Sequence, residues 1–165
     1  MKITDVALSC ARALPVLAVV GAAVVAMPTA NADNRRLNDG VVANVYTVQH
    51  QHGCTGDVKK NPQLQLAAEW HANDVLNNRA LDGDIGSDGS SVQDRANAAG
   101  FKGIASETVA INPALAINGI DVINQWYYRP DYMAIMSNCA NTQMGVWSLN
   151  SLDRSVVVAV YGQPG

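Results

Sequence analysis

Near the C-terminus runs Val156-Val157-Val158-Ala159-Val160, five successive apolar residues, four of them β-branched. A strand sends successive side chains to opposite faces, so a strand apolar on both faces must be covered on both sides. The segment therefore predicts a central strand over residues 155–161, held between two helical layers. A second strand is expected at 144–149, and Asn150-Ser151-Leu152-Asp153-Arg154 between the two reads as a hairpin turn. A third is expected at 107–111, where Thr108, Val109 and Ile111 supply β-branching.

Helical periodicity supplies the covering layers. Leu37, Val41, Val45 and Val48 recur at steps of three or four and predict a helix over 34–50. Asn61-Pro62 places a capping side chain before a proline that needs no N–H partner, opening a helix over 61–79. Its buried stripe is Leu64, Ala67, Ala68, His71, Val75 and Leu76, with Trp70 at the border. Ser91-Val92-Gln93-Asp94 resembles a capping box with Asp at its end, so a short helix is expected at 92–99, closed by Gly100. By the same cap-then-proline logic Asn112-Pro113 opens a fourth helix that runs to about Tyr128 and is ended by Pro130. Helices come first and strands mostly follow, which predicts an α+β fold, a small antiparallel sheet between helical layers.

Residues 1–32 read as a secretory signal peptide: Lys2 and Arg12, then an apolar run, then Ala30-Asn31-Ala32 as a cleavage site. The expected product, residues 33–165, is a single domain. Without Lys2, Arg12 and Asp5 it holds 9 basic and 13 acidic residues. That acidic balance, with no basic run, argues against nucleic acid or an anionic membrane as partner. No integral membrane association is expected after cleavage. Two cysteines survive it, and in a secreted chain Cys54 and Cys139 are expected to pair.

The densest polar stretch is 83–95, with three glycines, two aspartates and three serines ahead of Asp94-Arg95. Asp88-Gly89 reads as a turn, and Arg95 as a tie that pairs with Asp84 or Asp88. The serines lie in no nucleophile elbow, and the aspartates do not keep the spacing of a calcium loop. His50 and His52, two apart on a helix, point away from each other and should not share a metal. His71, on a buried face, reads as a hydrogen-bonded core residue.

Taken in order, Asn61-Pro62-x-Leu64, the 86–91 loop with Asp94-Arg95, Glu107, Trp126-x-x-x-Pro130 and Met144-Gly145-Val146 resemble the CAP superfamily. This superfamily comprises cysteine-rich secretory, antigen 5 and pathogenesis-related proteins, and carries the SCP-like domain. The likeness is to its short bacterial, actinobacterial secreted members. The resemblance implies an α–β–α sandwich with a surface cavity that in the family holds two histidines, glutamate and a divalent metal. Here Asp84 and Tyr132 stand at the two histidine positions, Glu107 is kept, and Arg129 falls near the second glutamate.

An all-oxygen cavity of Asp84, Glu107, Arg129 and Tyr132 suits zinc poorly; no metal or other cofactor is expected, beyond a weakly held divalent cation. The plain alternative is a structural cluster in which Arg129 pairs with Asp84 or Glu107. Trp126, Tyr127, Tyr128, Met133 and Met136 read first as core packing and a helix end; the alternative is an apolar groove, to which the family's lipid and sterol binders lend some weight. The expectation is a secreted or cell-envelope module, leaning away from an enzyme, that binds an apolar ligand such as a lipid, an envelope component or a protein. The alternatives are a degenerate hydrolase site at Asp84 and Glu107, and a structural surface antigen.

Overall fold

The computed structural model describes residues 30–165, with side chains from Asn34 onward; the expected signal peptide lies outside the described residues. The helices are α1 (Ala30–Gln51), α2 (Pro62–Asn77), α3 (Val92–Ala98), α4 (Gly119–Tyr127) and α5 (Pro130–Met136), and the strands β1 (Lys59–Lys60), β2 (Gly103–Asn112), β3 (Gln143–Ser151) and β4 (Arg154–Pro164). The sheet order is β1-β3-β4-β2. Its three long strands are antiparallel, and β1 adds a short parallel edge.

The apolar run sits in β4, between β3 and β2, and every residue from Val156 to Tyr161 has no exposed surface. Val157, Ala159 and Tyr161 face a core built with Val41 and Val45 of α1, Val122 and Trp126 of α4, and Tyr132 and Met136 of α5. Val156, Val158 and Val160 face the other core, with Leu64, Ala68 and Val75 of α2 and Ala96 of α3. The fold is an α+β sandwich of helices, sheet and helices. Gly145 makes the α2 contact close, because a Cβ there would strike the backbone of Leu64 and Gln65. A disulfide joins Cys54, just after α1, to Cys139, just after α5.

Two expectations about the fourth helix are corrected. Asn112 does not cap it, because Asn112 is taken into the β2–β4 ladder opposite Ser155. The cap is Asn118, whose Oδ1 accepts from the N–H groups of Ile120 and Asp121. Pro130 does not merely end a helix; it occupies the first turn of α5. A proline lacks the N–H that a first turn leaves unpaired, so it opens a helix as readily as it closes one.

Candidate functional site

Glu107 lies in β2 on the same face as Ala105 and Val109, the face covered by α2 and α3. Its side chain is fully buried. Arg95 of α3 reaches it: Nη2 donates to both carboxylate oxygens, at 3.1 and 3.3 Å. The same guanidinium donates to the backbone carbonyls of Asp84 at 2.7 Å and Ser90 at 2.8 Å. One side chain thus ties the 83–91 loop to the sheet. From α2, His71 places Nε2 3.3 Å from Glu107 and donates to the Gly83 carbonyl at 2.8 Å. A carbonyl only accepts, so Nε2 carries the proton. Nδ1 is buried without a partner.

Burial pushes the Glu107 carboxyl up to about 8, against the downward pull of Arg95. Burial also lowers His71, with the Arg95 charge adding to the effect and the Gly83 bond opposing it. Both shifts favour the neutral form, as desolvation does when it outweighs pairing.

The loop itself is built by local hydrogen bonds. Ser91 and Asp94 form the expected capping box at the start of α3. Asp88 accepts from the Ser90 N–H, and its carboxyl is lowered first by its bonds to Ser90. Asp74 of α2, which the sequence did not single out, accepts from both the N–H and the hydroxyl of Ser87 at 2.7 Å. Beside this loop opens a cleft of about 420 Å³, bordered by Trp70, Asp74, Asp88 and Asp94. His71 and Arg95 form part of its floor; Glu107 does not line it.

The four residues expected to form the cavity are not gathered into one. Asp84 meets Arg95 through its backbone carbonyl, while its side chain lies at the exposed surface. Arg129 pairs with neither Asp84 nor Glu107: it is exposed and bonds Asp131, at 2.6 Å. Its guanidinium lies 3.6 Å over the Tyr132 ring, a cation–π contact. Tyr132 packs in the opposite core, where burial raises its phenol and the Arg129 charge partly offsets that. Arg95, expected to pair with Asp84 or Asp88, spends its charge on Glu107 and holds the loop by carbonyls. Its place one short helix before Glu107, the one charged residue of β2, was the available signal.

The expected apolar groove is also changed. Trp126 and Met136 have no exposed surface and fill the core, with Met133 packed against it. Tyr127 and Tyr128 point outward. His50 stacks on Tyr46 and His52 bonds the Val48 carbonyl, so both serve the end of α1.

The donor set does not fit a divalent metal. A cation near Glu107 would meet the Arg95 guanidinium on both carboxylate oxygens, and the protonated nitrogen of His71 faces the same place. Among the described residues no three His, Cys, Asp or Glu side chains gather as a metal site.

Solved structures share this fold. An outer surface protein of Borrelia burgdorferi aligns with a TM-score of 0.69 at 15% identity, over 81% of this chain and 96% of that one. An extracellular SCP-domain protein of Bacillus anthracis gives 0.63 at 13%, over 83% of this chain and 45% of its own length. A cysteine-rich secretory protein of Staphylococcus aureus gives 0.54 at 10%, over 76% and 39%. The fold is that of the SCP, or CAP, domain. No family model matches the chain, and no curated protein does.

Proposed function

We propose that the chain is a secreted, non-catalytic CAP-like module that binds an extracellular protein or a cell-envelope component. The observation that carries this reading is the Arg95–Glu107 pair. A general acid or base must reach the proton that it moves. The Glu107 side chain has no exposed surface, and Arg95 takes both its oxygens. The residues that a hydrolase or a metal site would need are spent inside the fold. A protein or envelope component is favoured over a lipid because the apolar candidates Trp126 and Met136 fill the core, and the open clefts set charged and amide side chains beside Trp70, Trp147 and Leu149. The extracellular neighbours in fold support secretion. Among the described residues no helix is long and apolar enough to cross a membrane.

The second reading, a hydrolase-type site, draws on one observation, the raised Glu107 carboxyl beside His71. Perturbed pairs of this kind cluster at active sites, and also in structural networks.

Native mass spectrometry of the protein released by its own host, with an ester-hydrolysis assay on the same sample, tests the proposal. The expected result is a non-covalent protein or envelope adduct and no turnover. Hydrolysis that Glu107→Gln abolishes would overturn it.

A further inference from the structure

The cleft of about 420 Å³ beside the 83–91 loop has an acidic rim. Asp74 Oδ2 and Asp88 Oδ1 both lie within 3.3 Å of the point where a Cβ on Gly86 would stand, so the glycine lets two carboxylates converge. Asp94 closes the rim from α3. Among the described residues none of the three has an ion-pair partner. Arg95, the nearby cation, is turned to Glu107 and to carbonyls. The local bonds leave acceptor capacity on the rim. Asp88 accepts from Ser90 through Oδ1 and Asp94 from Ser91 through Oδ2, so Asp88 Oδ2 and Asp94 Oδ1 accept nothing among the described residues. Bonds to Ser90 and Ser91 hold these two carboxyls below the usual carboxylate range, so both are charged at neutral pH.

The wall and the floor add two further demands. Trp70 stands at the wall with 41% of its surface exposed. His71 and Arg95, in the floor, are only 1% and 6% exposed, and each has a buried polar atom without a partner, His71 Nδ1 and Arg95 Nε. The proton of His71 is on Nε2, so Nδ1 is an acceptor, whereas Arg95 Nε is a donor. A hydroxyl answers both, because it donates and accepts; an ammonium only donates. The cleft therefore asks for a cation at its rim, hydroxyls at its floor and a carbon face against an aromatic ring.

We propose that this cleft binds an amino sugar with a free ammonium group, carried by a cell-envelope glycan. The proposal rests on the binding-module reading above and names the ligand class. The ammonium is taken by Asp88 and Asp94, where the Trp70 ring face adds to the attraction for a cation. The hydroxyls turn to the floor, and the carbon face of the sugar ring lies against Trp70. A lysine side chain would satisfy the rim but brings no hydroxyl to the floor.

Isothermal titration calorimetry of the host-released protein with the β-1,4-linked disaccharide of glucosamine, at about pH 6 where its amines are charged, tests this. The expected result is saturable binding. Asp88→Asn, which keeps an oxygen for the Ser90 N–H, should weaken it about ten-fold, and so should Trp70→Ala; both positions are exposed. Raised salt should weaken it as well. The N-acetylated disaccharide, which lacks the charge, should bind at least about ten-fold more weakly. No saturable binding of the glucosamine disaccharide overturns the inference, as does equal binding of the N-acetylated form or of the Asp88→Asn variant. Lysine amide binding as tightly as the disaccharide also overturns it, in favour of a lysine on a partner protein. An adduct in native mass spectrometry that survives both Asp88→Asn and Trp70→Ala leaves the module reading standing while this inference falls.

Discussion

At the scale of single residues, the chemistry gathers at Glu107. A carboxyl raised by burial reverses the usual acid behaviour of a carboxylate. Between its ordinary value of 4.5 and about 8, the folded state holds a proton that the unfolded state releases, so stability falls as pH rises through that window. His71 acts the other way. Its folded value lies below 6.5, so its contribution is present above that pH and is lost as pH falls. From pH 6.5 to 8 the Glu107 effect stands nearly alone. We expect the unfolding free energy to drop by about 1–2 kcal/mol across that interval, and Glu107→Gln to flatten the slope. Urea denaturation at several pH values measures both.

Local residue roles were legible. The Ser91–Asp94 capping box and the Asn61 cap act within three residues of themselves, and the structure forms both as read. The centre of the cluster was not legible, because Arg95, Glu107 and His71 meet only once α2, α3 and β2 are packed. His71 was rightly read as buried, but its partners could not be inferred from its helix. Reading Asp84 by its place in a family pattern led to its carboxylate, when the contact that matters uses its backbone carbonyl.

At the scale of elements, the three long strands and the first three helices follow from the residue pattern. The region from Asn112 to Met136 does not, because two proline-led starts and two capping asparagines compete within 19 residues. Tertiary pairing decides: Asn112 goes to the ladder and Asn118 to the helix. Replacing Asn118 by Ala should therefore cost about 1 kcal/mol, as loss of a side-chain cap does. Asn112→Ala, which removes only its exposed bond to the Ala116 carbonyl, should cost at most about 0.5 kcal/mol. Thermal melts of the two variants separate the assignments. The two-residue β1 was invisible in sequence, since Lys59-Lys60 has no strand character of its own. Its pairing with β3 is imposed by the path from the disulfide to α2.

Across the whole molecule, a doubly apolar strand demands two covering layers, and the sandwich supplies them. The disulfide binds the ends of α1 and α5 across 85 residues of chain. Cross-linking a loop of that length constrains the unfolded chain by about 4–5 kcal/mol in the entropy model. The double variant Cys54→Ala, Cys139→Ala should lose about 2–5 kcal/mol, read as a lower denaturation midpoint with the fold retained. The same architecture explains why resemblance reached the fold but not the site. The layers depend on patterns of apolar residues that tolerate substitution, whereas a site depends on a few side chains, and here Arg95, Glu107 and His71 meet in an internal network.

The central claim is that this network holds the fold together instead of serving a reaction. The unfolding free energy of Arg95→Met, measured against the unsubstituted protein by urea denaturation at pH 7, tests it most directly. Loss of the guanidinium strands Glu107 and the carbonyls of Asp84 and Ser90, so the account predicts a loss of about 2–4 kcal/mol. An unchanged or higher stability, the mark of a site kept for function at the expense of the fold, would contradict it.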